Sequence, residues 1–387
     1  MPTARPAAIS AGSPPPDWPR AMDEALRTAP AQTGGGFPRG WWAHLGQRGM
    51  LGLGFAVGEN PPAADAVLVS TLAEQVTHAT GRLGLGMAWM LQQMLGRYVL
   101  GPLTRNPGQS GWISALLAAM ARGESLLALA ISEPGAGAHP KHLQTRAIRD
   151  ETGEGWILDG QKAFVSNGPA ADAIIVLAIS GEQDGRKRFD AFLLDARTPG
   201  LTRLPNPRAQ GLAPLGHCDL RLEACRVPEN RRIGPPGQGF ETIAKPVRAI
   251  EDALLLGPLL GAMRHELEWA AGALAARGAA ESDTLREMGA LRLEWEALHA
   301  VRDALAHELE AQGWGEALAF STVGARRLCE RWQAACEAWL EARHLLEPGA
   351  AAPDFIRDLR LVLGIARGAA QSRQLQKGQQ MLQSLSI

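Results

Sequence analysis

The sequence predicts an α+β chain in three parts: an N-terminal α-helical domain, a middle antiparallel β-barrel or sandwich domain, and a C-terminal α-helical bundle. Three observations carry this. Apolar residues recur at helical spacing up to about residue 127. Short apolar runs bounded by Gly, Asp and Asn fill the stretch from about 128 to 232. The helical period returns after Gly234-Pro235-Pro236-Gly237 and persists. With 387 residues, 46% of them hydrophobic, the chain has material for the cores of two or three such domains.

Residues 1–20 hold Pro2, Pro6, Pro14, Pro15, Pro16 and Pro19 among Ala and Ser, and this composition predicts a disordered arm. From 21 to 127, sets such as Leu68, Leu72, Val76 and Met87, Met90, Leu91, Met94, Leu95 predict helices, broken at Gly-Pro and Asn-Pro. The segment 128–236 contains Trp156-Ile157-Leu158, Ala173 to Ala178 and Phe189 to Leu194, which read as strands separated by turns such as Gly181 to Gly185. From 237 to 387 the pattern predicts a four-helix bundle. Its clearest stripe is Leu285, Met288, Leu291, Trp295, Leu298, Val301, Leu305 and Leu309. The many Ala and Trp favour a packed bundle over a coiled-coil rod.

Charge and cysteine usage exclude several function classes. The 39 basic and 40 acidic residues sum to a net charge of -1, so no overall field recruits nucleic acid or an anionic membrane. Cys218, Cys225, Cys329 and Cys336 form no CxxC pair and lack histidines at ligand spacing, so no metal site is expected. No apolar run approaches the about 20 residues of a membrane helix, and no charged n-region precedes an apolar h-region. A cytoplasmic protein is the expectation. Gly81-Arg82-Leu83-Gly84-Leu85-Gly86 lacks the preceding strand and the glycine spacing of a dinucleotide fingerprint.

Two motifs stand in order at the helix-to-strand change. Ile131-Ser132-Glu133-Pro134-Gly135-Ala136-Gly137 resembles the T-E-P-G-A-G-S-D motif of the acyl-CoA dehydrogenase family. About 30 residues on, Gly160-Gln161-Lys162-Ala163-Phe164-Val165-Ser166-Asn167-Gly168 with Ala171-Asp172 resembles its G-x-K-x-W-I-T-N-G and A-D. A third stretch, from Leu215-Gly216 through Val227-Pro228 to Gly237-Gln238-Gly239-Phe240, is similar to the family's closing strands and glycine turn. The resemblance implies an FAD-binding edge. Ile131 and Ser132 would meet the flavin pyrimidine, Ser166 the N5 region, Phe164 the isoalloxazine face, and Gly137 with Gly135 a nest of N–H groups for an anion. It also implies that Arg277, left from R-x-x-F-G, would grip the adenosine half of a neighbouring subunit's FAD.

The family reaction needs a carboxylate base, and the usual C-terminal glutamate position, after Arg357-Asp358-Leu359, is Arg367 here. Arginine cannot serve, since its pKa lies above about 12. The segment Ile250-Glu251-Asp252-Ala253 to Gly261 resembles that of relatives whose base lies on the first C-terminal helix, which assigns the role to Glu251. Arg248, Asp252, Arg367 and Ala138 then fall on the substrate side. Asp252 departs from the family's arginine, Ala138-His139 from its Ser-Asp, and Ala280-Glu281 from its Phe-Gly, and no Gly-Gly-Asn turn is visible around Glu347-Pro348-Gly349. The resemblance implies FAD-dependent α,β-dehydrogenation of an acyl thioester carried on CoA or a carrier protein. It also implies an electron-transfer flavoprotein or similar acceptor, and a homodimer, homotetramer or mixed oligomer. A catalytically silent subunit and a flavin monooxygenase or oxidase on the same fold remain open.

Overall fold

The computed structural model describes residues 17–29, 36–105, 109–278, 281–347, 351–365 and 367–384. Most of the expected arm, residues 1–16, lies outside them. Its last part is not an arm: Asp17 caps helix α1 (Trp18–Arg27), its carboxylate accepting the Arg20 amide at 3.2 Å. Met22 and Ala25 then bury the inner face of that helix.

Among the described residues four further α-helices, with a π-helical turn at Leu95–Leu100 and a 3-10 turn at Gly101–Arg105, complete the first part: α2 (Arg39–Gln47), α3 (Ala66–Thr80), α4 (Leu83–Met94) and α5 (Ser110–Ala121). Asp65 caps α3 by accepting the Leu68 amide at 2.8 Å, and Gly81 ends it in the left-handed region. Every residue of α4 is buried, so it is the central helix of this layer. Gly84 and Gly86 lie inside it, not in a phosphate-binding turn.

The strands are β1 (Leu127–Ala130), β2 (Arg146–Arg149), β3 (Gly155–Ser166), β4 (Ala173–Gln183), β5 (Arg186–Asp195), β6 (Leu201–Pro205), β7 (His217–Pro228) and β8 (Arg232–Ile233). They form one sheet in the order β6-β7-β3-β2-β4-β5-β8, with β1 added beside β4. Most pairings are antiparallel, but β1 runs parallel to β4, Leu127 facing Ala173, and β2 meets β4 in parallel at Arg146 and Ile179. The sheet is therefore mixed. The β4–β5 hairpin closes through Asp184 and Gly185, both at positive φ, the geometry a two-residue turn demands.

Strand β4 explains why its sequence reads as an unbroken apolar run. Ile174 and Val176 face a core shared with Leu158, Val165, Phe192 and Leu220, while Ile175 and Leu177 face the large core continuous with the helices. Both faces are covered, so alternation disappears.

A π-helical turn at Phe240–Ala244 leads into α6 (Lys245–Leu254), α7 (Leu256–Arg277), α8 (Ser282–Gln312), α9 (Glu316–Ala342), α10 (Asp354–Gly364) and α11 (Arg367–Ser384). Among the described residues these are six helices, of 10, 22, 31, 27, 11 and 18 residues. Gly257 and Gly261 let α7 press on α3, where a Cβ would strike the Ser70 and Glu74 carbonyl oxygens. The α8 stripe is buried from Leu291 through Leu309 apart from half-buried Val301, whereas Leu285 at its start is exposed. Two indoles tie the layers, Trp295 Nε1 donating to the Leu260 carbonyl and Trp332 Nε1 to that of Leu291, each at 2.9 Å.

No described helix is long and apolar enough to cross a membrane. Among the described residues no group of His, Cys, Asp and Glu is placed to hold a metal ion. All four cysteines are free and buried.

Candidate active site

The turn after β1 is built around one buried ion pair. Lys162 of β3 is 0% exposed, and its Nζ lies 2.8 Å from Glu133 Oε1 while also donating to the Ile131 carbonyl at 3.1 Å. Glu133 accepts two more bonds, from the Gln144 and Thr145 amides at 2.6 and 3.0 Å. Burial opposes the carboxylate charge, but Lys162 and these amides outweigh it and hold Glu133 below its ordinary value. Burial lowers Lys162 to about 8, against the pull of Glu133. The pair thus fixes the backbone of Ile131 and Ser132 against β3, where the Ala163 amide donates to the Ser132 carbonyl at 2.8 Å.

Gly135 and Gly137 adopt positive φ, 73° and 55°, as the motif implied. The expected nest is partly closed, however: the amides of Ala136 and Gly137 both donate to the Glu133 carbonyl. Ala138 follows as an exposed residue.

Phe164 and Ser166 sit at the far end of β3. A register shift between Lys162 and Val165 accompanies a left-handed Phe164, φ 57°, a residue that is 48% exposed. Asp219 of β7 pins this conformation, Oδ1 accepting the Phe164 amide at 3.1 Å and the Asn206 side-chain amide at 2.6 Å. A β-branched or bulky residue at positive φ is an uncommon feature, and such strain collects at functional sites. Ser166 pairs across the ladder with His217. Among the described residues the hydroxyls of Ser132 and Ser166 have no hydrogen-bond partner, and neither has buried His217 Nδ1 nor either end of the buried Asn167 amide. Burial pushes His217 down to about 4, so its imidazole is neutral at neutral pH. Sequence reasoning singled out neither His217, Asp219 nor Asn206, because only the strand register brings them beside Phe164 and Ser166.

A second group lies on α6. Glu251 is partly buried and, among the described residues, has no ion pair and no side-chain hydrogen bond. Burial raises its pKa above the ordinary value; Arg248 opposes this and Asp252 adds to it. Arg248 is engaged with Asp252, at 3.0 and 2.6 Å. Asp252 also lies 3.8 Å from Arg326 of α9 and 3.8 Å from Arg373 of α11. These arginines line a small cavity with Leu255, Leu259, Thr322 and Val323. Among the described residues no hydrogen bond or ion pair joins this group to the strand face.

Arg277 is spent within the chain, donating to the Arg343 and His344 carbonyls at 2.8 Å each and so closing the end of α9. Arg367 opens α11, and its side chain falls outside the described part, as do residues 348–350 of the stretch compared with Gly-Gly-Asn. Asp358 accepts the Leu212 amide at 2.8 Å and ties α10 to the loop before β7.

Residues 128–225 match the family model described as acyl-CoA dehydrogenase, middle domain. Cyclohex-1-ene-1-carbonyl-CoA dehydrogenase of Geobacter metallireducens is 37% identical over 123 residues, 31% of this chain and 32% of that one. The mitochondrial short-chain specific acyl-CoA dehydrogenase of Mus musculus is 27% identical over 205 residues, 53% and 48% of the two chains. The chain thus matches less than half the length of these curated relatives. In fold the likeness spans most of the chain: butyryl-CoA dehydrogenase from Megasphaera elsdenii superposes with a TM-score of 0.75 at 19% identity, covering 95% of this chain and 97% of that one. KijD3, solved with FMN and a dTDP-linked amino keto sugar, gives 0.72 at 19% identity over 93% and 90%. Residues 128–225 thus match the middle domain of the acyl-CoA dehydrogenase family, and they are set in the three-part fold of that family's solved structures.

Proposed function

We propose that the chain is an FAD-dependent dehydrogenase that introduces an α,β double bond into an acyl thioester. The strand face offers groups suited to a flavin: exposed Phe164 at positive φ, with Ser132 bonded through its backbone to neighbouring Ala163 and Ser166 two residues on, both hydroxyls without a partner among the described residues. Ile131 and Ser132 would hold the pyrimidine edge, Ser166 the N5 region and Phe164 the ring face. Bound there, the flavin would supply the two-electron acceptor for the β-hydride.

The residue that carries the reading is Glu251. A carboxylate with no counter-ion in contact and a pKa raised by burial is a better proton acceptor than a salt-bridged one. It would take the α-proton as the C–H electron pair moves into the forming C=C bond. Electrons would leave to an electron-transfer flavoprotein or similar acceptor, and a homo-oligomer would complete the adenosine half of the cofactor site.

The test is the visible spectrum of the purified chain, before and after addition of FAD or FMN, followed by anaerobic exposure to a panel of acyl thioesters. Yellow protein that a thioester bleaches supports the reading. Protein that stays colourless with either flavin, or holds flavin that no thioester bleaches, overturns it.

A further inference from the structure

Arg248 stands three residues before Glu251 and four before Asp252, so two carboxylates lie within its reach on one side of α6. It takes only one. Nε and Nη2 donate to the two oxygens of Asp252 at 3.0 and 2.6 Å, the bidentate form of an arginine–carboxylate pair. Asp252, its side chain 8% exposed, also draws Arg326 and Arg373 toward it from α9 and α11, at 3.8 Å each. Glu251 is left with no partner among the described residues.

We propose that Asp252 is a positioning residue for Glu251: by holding Arg248 on its own carboxylate, it withholds the counter-ion that Glu251 would otherwise bind and keeps Glu251 able to accept a proton. The charged groups around Glu251 are Arg248 and Asp252 on its own helix and Arg326 on α9, with Arg373 of α11 on the far side of Asp252 and Glu330 beside Arg326. Arg248 is the one among them whose short chain path from Glu251, a single helical turn, allows a switch between partners without any helix moving. Replacing Asp252 by a neutral group frees Arg248 for that switch and removes a like charge, and both changes lower the affinity of Glu251 for a proton.

The proposal rests on the reading of Glu251 as the base, but its first measurement does not need activity. Infrared titration of the full purified chain, wild type minus Glu251→Gln, isolates the carboxyl stretch of Glu251 and its midpoint. In Asp252→Asn the midpoint should fall by about one to three pH units. Adding Arg248→Gln to that variant should bring it back up by about one unit or more, since the freed guanidinium is gone. An unmoved midpoint in Asp252→Asn, or the same fall with and without Arg248, would overturn the proposal. Should Asp252→Asn not fold, Arg248→Gln alone decides: a shift below about one unit fits an arginine already committed to Asp252, and a larger rise means that Arg248 serves Glu251 directly. The two readings separate in the same samples. A moving midpoint in a protein that oxidises no thioester leaves the positioning intact and removes the dehydrogenase; thioester oxidation whose pH profile ignores Asp252→Asn does the reverse.

Discussion

Glu266 is a carboxyl group that folding places where water does not reach. It lies on α7 facing α9, is 0% exposed, and accepts Gln333 Nε2 at 3.2 Å through Oε1, while among the described residues Oε2 has no hydrogen-bond partner. Burial, reinforced by neighbouring Glu337 and opposed by the Gln333 bond, raises its pKa from 4.5 to about 8. The folded state therefore binds a proton that the unfolded state has released above pH 4.5. The sign follows: this group's contribution is fully present below 4.5, declines as pH rises, and is gone above about 8. At about 1.4 kcal/mol per unit, the decline amounts to roughly 3 kcal/mol by pH 7 and approaches about 5 above pH 8. Glu266→Gln keeps the shape and the acceptor for Gln333 but cannot ionise. Urea unfolding followed by tryptophan fluorescence, which Trp332 and Trp339 of the facing helix report, should give similar stabilities for the two proteins at pH 5. At pH 8 the variant should be more stable by several kcal/mol. Parallel pH dependences for wild type and Glu266→Gln would refute the reasoning and show that Glu266 ionises normally, through water reaching Oε2.

Three further outcomes follow from packing and pairing. Lys162→Met strands Glu133 and should cost about 3 to 5 kcal/mol in urea unfolding, part of which Lys162→Met combined with Glu133→Gln should recover. Gly261→Val drives a side chain into the Glu74 carbonyl and should loosen the α3–α7 contact by about 1 to 3 kcal/mol or more, read as a lowered thermal midpoint. Ser166→Val should leave far-ultraviolet circular dichroism unchanged but reduce flavin retention and slow reduction by an amount corresponding to about 3 kcal/mol; an unchanged single-turnover rate would show that Ser166 does not face the reacting edge.

The three-part layout was legible because each part has its own hydrophobic period. The Asp184-Gly185 turn and the buried run of β4 were legible for the same local reasons. The mixed sheet was not, since parallel addition of β1 depends on where a short strand docks rather than on its own pattern. Leu285 belongs to the α8 stripe by spacing yet is exposed, while its neighbour Thr284 is the buried residue of that turn and accepts Arg343 Nε at 3.0 Å. At the site, the motifs located Ser132, Phe164 and Ser166, and the strand register collected them with His217 and Asp219, which no local pattern marks. The Arg248–Asp252 pair has a readable four-residue spacing, but the arginines of α9 and α11 that join it come from distant helices. The motif marks Arg277 but not its bonds within the chain, where it donates to the carbonyls that follow α9.

The measurement closest to the central claim is anaerobic flavin bleaching by acyl thioesters with wild type beside Glu251→Gln. The variant preserves volume and removes the proton acceptor, so flavin and thioester should still bind while bleaching slows by about 100- to 10,000-fold. Equal rates in the two proteins would contradict the account and place the base elsewhere in the chain.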